Sequence, residues 1–152
     1  SSIPLPTLVY GANAPGNFGL LTKLVDRIPV LPFRGIANKR DFISVQNLTN
    51  LLICCAKHPE AKNSVFLASD GETVSIGEFI ELIAFGLNRN ILLFPVPLKL
   101  FRFVGTLIKK TRLVEQLVGN LQVDNSDLKR KLGWEPPYSM REAMSKLNKG
   151  QQ

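Results

Sequence analysis

The chain has 152 residues, 45% of them hydrophobic and 20% charged, which is the composition of a globular domain and not of a disordered or coiled-coil chain. Its 19 Lys and Arg against 12 Asp and Glu leave a net charge of +7, which favours an anionic partner: a phosphate ligand, a nucleic acid or a membrane surface. No apolar run reaches the ~18 uncharged residues of a membrane span, because Pro95, Pro97, Lys99 and Arg102 interrupt the longest stretch, 91–108.

In chain order, 7–10 reads as a short strand closed by Gly11 and a loop over 12–16. A helix follows beyond Asn17, with Phe18, Leu21, Val25 and Ile28 recurring on one face. Pro29 and Pro32 hold 30–33 extended, and Gly35 and Asn38 mark a loop. Residues 40–45 alternate as a single strand, and 46–57 form a helix with Leu48, Leu51, Leu52 and Cys55 on one face, stopped at His58-Pro59. The apolar run 65–68 predicts a buried strand, followed by an Asp70-Gly71 turn. Ser75-Ile-Gly-Glu78 is a capping box opening a helix that carries Phe79, Leu82, Ile83 and Leu87 inward. Residues 91–96 are strand-like, 98–110 an amphipathic helix, 113–118 a shorter one and 121–123 extended. Asp124 caps a helix ended by Gly133, and Ser139-Met-Arg-Glu142 is a second capping box. Strands alternating with helices imply an α/β arrangement with parallel pairing, yet with too few strands for a complete doubly wound sheet.

Cys54 and Cys55 are adjacent in a helical stretch, so their side chains diverge and make a poor disulfide. They read as core residues from a reducing, cytoplasmic compartment. The single histidine, His58, excludes a His-rich metal site. The chain opens on Ser1 and enters a strand almost at once, which reads as cut from something longer.

Three motifs carry a resemblance. Pro6-Thr-Leu-Val-Tyr-Gly11, Arg40-Asp-Phe-Ile-Ser-Val45 with Gln46-Asn47-Leu48, and Val123-Asp124 with Leu132-Gly-Trp134-Glu-Pro136 stand in an order and spacing that resemble the extended short-chain dehydrogenase/reductase family, the NAD-dependent epimerases and dehydratases of nucleotide sugars. The resemblance covers nearly the whole chain. It implies the C-terminal part of such an enzyme: the end of a Rossmann-like sheet plus a mixed α/β substrate-binding subdomain, taken as one domain over 1–152. The family's glycine-rich cofactor loop and its Tyr-x-x-x-Lys pair have no counterpart here. Tyr10 is followed four residues later by Ala14. NAD therefore belongs to the complete enzyme, and this chain alone is expected to be inactive and to hold no cofactor. The partner implied is a UDP- or dTDP-hexose, and the motif order favours a UDP-sugar 4-epimerase over a dehydratase or reductase.

A diphosphate wants guanidinium and backbone amide donors. By the resemblance Arg40 meets the diphosphate, as a strand-end arginine beside a cleft and outside the core. The plain structural alternative pairs it with Asp41 or a glutamate. Asn17 and Phe18 match the helix start at the diphosphate and uracil, against an N-cap and a core phenylalanine. Leu31, Pro32 and Phe33 match the segment along the uracil ring, against core and turn, and Thr7 and Leu8 match a strand end beside the sugar and nicotinamide. Three departures stand out: Leu5 replaces an arginine, Asn47 an aspartate, and Gly119-Asn-Leu-Gln122 a stretch that holds a second phosphate arginine in many 4-epimerases. Lys109, Lys110 or Arg112 are candidates to substitute. Trp134 reads as a packing anchor behind Gly133.

Two readings of other classes remain. A nucleic-acid-binding domain is opposed by the dispersal of the basic residues from Lys23 to Lys149, with no aromatic-interleaved stripe. A membrane-surface module would use Leu98, Phe101, Val104 and Ile108 opposite Lys99, Arg102 and Lys109. Cut sheet edges also predict self-association, as a homodimer or through strand edges.

Overall fold

The computed structural model describes residues 8–14, 18–58 and 68–147. Thr7, Asn17 and nearly all of the strand expected at 65–68 lie outside the described residues. The elements run β1 (Val9–Tyr10), α1 (Phe18–Arg27), β2 (Val30–Arg34), β3 (Arg40–Asp41), β4 (Ile43–Ser44), α2 (Val45–Lys57), β5 (Thr73–Val74), α3 (Ile76–Leu87), β6 (Leu92–Pro95), α4 (Leu98–Leu107), α5 (Thr111–Val118), α6 (Ser126–Leu132) and α7 (Met140–Met144). This is the mixed α/β order that the alternation of patterns predicts.

Among the described residues the strands form three pairs. β1 and β4 run parallel, with Val9 opposite Ile43. β2 and β6 run parallel, with Val30 opposite Leu92 and an irregularity before Arg34. β3 and β5 are antiparallel, with Arg40 opposite Val74. The single strand expected over 40–45 is thus two, divided at Phe42. Its side chain is fully buried and stacks on Phe79 at 3.9 Å between ring centres, and its carbonyl accepts from the Asp70 amide at 2.9 Å. β3 and β4 consequently take different partners. A run of alternating residues records which faces are apolar, not which strand comes alongside, so the division is invisible in the sequence.

The main core gathers on α3. Ile76, Phe79, Ile80 and Ile83 are wholly buried, and Tyr10, Phe18, Leu31, Phe33, Met140 and Met144 close around them. The capping box at Ser75 forms as expected: its hydroxyl accepts from the Glu78 amide and Glu78 accepts back from the Ser75 amide. The helix ends on Asn88 in the left-handed region, φ 58°. α7 crosses α3 at Gly86, where a Cβ would sit 2.1 Å from the Met144 carbonyl oxygen; the absence of a side chain lets the two helices touch. A second, smaller cluster joins Ile43, Leu51, Leu128, Leu132 and Trp134. The indole NH of Trp134 donates to Asn50 at 2.8 Å, so this residue is the packing anchor expected behind Gly133.

Some helix faces depart from expectation. Ile28 falls beyond α1 and is exposed, and Leu52 of α2 is 59% exposed, so only Leu51 of that stripe is fully inside. Cys54 and Cys55 are free and half-buried at the margin of the second cluster, not within a core. Asn125, not Asp124, occupies the N-cap position of α6, and Asp124 accepts from the Ser126 amide at 2.9 Å.

Candidate functional site

Residues 38–41 and 117–123 are laced together around Arg40. Asn38 is buried. Its amide nitrogen donates to the carbonyls of Leu117 and Gly119 at 2.9 and 3.0 Å, and its oxygen accepts from the Ile76 amide at 2.9 Å. The Lys39 amide donates to the Asn120 side chain at 2.7 Å, while the Leu121 amide donates to the Lys39 carbonyl and the Asp41 amide to the Leu121 carbonyl. Asp41 accepts from the Thr73 hydroxyl at 2.5 Å and from the Val123 amide at 2.6 Å. The side-chain amide of Asn38 and both carboxylate oxygens of Asp41 are thereby engaged, as buried polar groups in a strand require.

Arg40 lies within this lacing and is 6% exposed. One terminal nitrogen donates to the Glu115 carbonyl at 3.2 Å, at the end of α5. Burial pulls its guanidinium down from the ordinary value, and the Glu115 charge pushes it back up; an arginine stays cationic at neutral pH. The expectation of a strand-end arginine outside the core is corrected, because the 117–123 segment folds over β3. Gly119 is what permits this approach: a Cβ there would lie 2.6 Å from the Glu115 carbonyl and 3.4 Å from the guanidinium. Beside this lacing opens a cleft of about 560 Å³, lined by 35–39, 73–75, Glu78 and Gln122.

The structure does not bring all the other sequence-derived candidates to one surface. Leu8 and Phe18 are buried in the main core, Phe18 against Tyr10 and Phe79. On β2 the alternation sends Leu31 and Phe33 inward, where Phe33 stacks on Phe101 at 5.3 Å, and leaves Pro32 half-buried between exposed Val30 and Arg34. Only Pro32 of that trio turns its side chain to the outer face. Lys109, Lys110 and Arg112 are all exposed, Lys109 with φ 59° in the left-handed region.

A buried polar network joins the two cores. The Tyr10 hydroxyl donates to Asp70, whose other oxygen accepts from the Ser44 amide at 3.0 Å and from the Asn47 side chain at 2.6 Å. Asn47 also donates to the Tyr138 carbonyl and accepts from the Tyr138 amide. Burial pushes the Asp70 carboxyl up, against the pull of its hydrogen bonds, and burial with the Asp70 charge pushes the Tyr10 phenol well above its usual range. The sequence marks Asn47 only as a departure from aspartate. Its role is structural and bidentate: with both an amide donor and an amide acceptor it serves Asp70 and the Tyr138 peptide together, and a carboxylate could not donate to either.

No protein-family profile matches the chain. It is 42% identical over 138 residues to a UDP-glucose 4-epimerase of Vibrio cholerae, an alignment covering 90% of this chain and 42% of the relative. Over this span the chain is similar to that enzyme, in the way its motif order resembles the extended short-chain dehydrogenase/reductases. A human epimerase family protein solved with NADPH superimposes with a TM-score of 0.73 at 14% identity, over 94% of this chain and 46% of that one. A UDP-glucose 4-epimerase of Thermotoga maritima, solved with UDP-glucose, gives 0.62 at 18% identity, over 94% and 43%. These two likenesses establish a Rossmann-like epimerase fold. The chain spans less than half the length of each of the three.

The residues described do not supply the family's Tyr-x-x-x-Lys pair: the hydroxyl of Tyr10 is buried and engaged by Asp70, and Ala14 stands four residues on. Among the described residues no helix is long and apolar enough to cross a membrane, and no cluster of His, Cys, Asp and Glu could hold a metal ion.

Proposed function

We propose that this chain is the substrate-binding, C-terminal part of an NAD-dependent nucleotide-sugar 4-epimerase or dehydratase acting on a UDP- or dTDP-hexose, with Arg40 as its diphosphate ligand. The observation that carries the reading is the 42% identity to the Vibrio 4-epimerase across 90% of this chain, Arg40-Asp-Phe-Ile-Ser-Val45 included. In support, Arg40 is held at a fixed place by β3 and by the Glu115 carbonyl of α5, and its chain neighbour Lys39 lines the cleft over 35–39 and 73–75. Pre-organised guanidinium groups bind phosphate with charge-assisted bonds of about 1.5–3 kcal/mol each. Asn17, Phe18, Leu31, Pro32, Phe33, Thr7 and Leu8 belong to the same reading. For the buried ones among them a ligand would use backbone groups, since their side chains pack inward. Hydride chemistry and NAD come from a part of the enzyme other than these residues.

The test is a UDP titration of the parent, Arg40→Lys and Arg40→Ala proteins alongside their thermal midpoints. We expect UDP affinity to fall roughly ten- to a hundredfold in Arg40→Ala and partly recover in Arg40→Lys, which restores charge without the planar fork. Unchanged UDP affinity in Arg40→Ala, with only a lowered midpoint, overturns the phosphate role.

A further inference from the structure

Helix α4 has two apolar sides. Leu98, Phe101 and Gly105 face the molecule: Phe101 stacks on Phe33, and Gly105 is buried against Val114 of α5, whose methyl would lie 2.6 Å from an added Cβ. The opposite side carries Leu100, Phe103, Val104 and Leu107 at the i, i+3, i+4, i+7 positions of one stripe, extended by Ile108. These are 48%, 59%, 43%, 65% and 60% exposed. Basic residues surround the stripe: Lys99 and Arg102 along its flank, and Lys109, Lys110 and Arg112 beyond its end. From Arg89 to Val114 the chain contains no acidic residue. The first one, Glu115, already holds Arg102 at 2.9 Å.

We propose that the outward face of α4, with the turn into α5, is a peripheral docking surface for an anionic phospholipid membrane. An apolar stripe wants to leave water, and its like-charged rim wants anions. A bilayer interface of acidic lipids supplies both at once. The lysine stems can lie along the apolar surface while their ammonium groups meet the headgroups. A second copy of the chain fits less well: two-fold pairing through this face would bring two all-basic rims together. A nucleic acid would match the charge and leave the stripe in water.

The probe is flotation of the 152-residue chain with large vesicles of phosphatidylcholine alone or mixed equally with phosphatidylglycerol, at 0.1 M salt. We expect at least tenfold stronger partition onto the phosphatidylglycerol vesicles, weakening steeply by 0.5 M salt. Lys109→Gln with Lys110→Gln should lower it about 30-fold, taking about 1 kcal/mol per basic residue near the surface. Phe103→Ser with Leu107→Ser should lower it about tenfold or more. Thermal midpoints verify that each variant folds; the lysine pair removes no apolar contact, so it carries the test if the serine pair unfolds. Equal partition onto neutral vesicles, no partition onto either, or unchanged partition in the lysine variant overturns the proposal. So does a dimer that the serine variant dissociates while vesicles recover no protein. UDP affinity is read separately, so failure here leaves the sugar-nucleotide reading standing.

Discussion

α3 and α4 carry nearly the same apolar spacing and meet opposite fates. Ile76, Phe79, Ile80 and Ile83 repeat at i, i+3, i+4 and i+7, and so do Leu100, Phe103, Val104 and Leu107. The first four are 0% exposed, and the second four are each more than 40% exposed. The lesson is that periodicity identifies a helix and a stripe without saying whether the stripe finds a protein partner. α3 lies between β2, α1 and α7, so its neighbours cover it from several sides. α4 turns Phe101 and Gly105 inward instead, and its more regular stripe is left outside. Capping follows the same division. α3 begins on a complete capping box, whereas α4 begins at Pro97 with no side-chain cap.

The sharpest way to test this contrast is a matched pair of truncations. Phe79→Ala should destabilise by about 3–5 kcal/mol, because it opens a cavity among the rings of Tyr10, Phe18 and Phe42. Phe103→Ala should change urea-unfolding stability by at most about 0.5 kcal/mol, as expected of an exposed position. Equal losses would mean that α4 is packed as tightly as α3.

The glycines offer a second pair with a smaller expected effect. Gly86→Ala drives a methyl into the Met144 carbonyl and should destabilise by about 2–3 kcal/mol. Gly105→Ala meets a half-buried valine side chain that can yield, and the alanine gains about 0.8–1 kcal/mol of helix propensity, so the net effect should lie near zero. Similar thermal midpoints for the two variants would break the contrast.

The smallest effect concerns pH. Burial raises the Asp70 carboxyl in the folded chain above its unfolded value, and the nearby Glu72 charge adds to that rise. Between the unfolded and the folded values the native state binds more protons than the unfolded state. This group's contribution to stability therefore falls as pH rises through that window. Asp70→Asn keeps an oxygen for the Ser44 amide and the Asn47 side chain, and its NH2 can donate to the Tyr10 oxygen. Urea midpoints from pH 4 to 7 should show a flatter profile in Asp70→Asn than in the parent. An identical slope would place the pH dependence elsewhere.

Much of the local structure is legible in the sequence. Both capping boxes, the left-handed stop at Gly133 and the helices over α1, α2 and α3 follow from residue chemistry within a few positions of each other. The site is legible mainly as Arg40, through a motif. Its setting is not: Asn38 and Asp41 read as a turn residue and an ion-pair partner, whereas they hold the chain 79–82 residues away. The only signal for this was the clustering of Asn, Arg and Asp next to an apolar strand.

Local residue chemistry sets the alternation of strands and helices and the capped helix starts, and the order of the motifs carries the resemblance to the extended short-chain dehydrogenase/reductases. These rest on local bonding and on side-chain types, which neighbouring residues settle among themselves. Long-range packing sets the rest: 40–45 divides between two partners, Arg40 is covered by 117–123, and Leu31 and Phe33 face inward while the stripe of α4 faces out. Each of these depends on which distant surface arrives to cover a given face, and burial free energy belongs to that meeting, not to either segment alone.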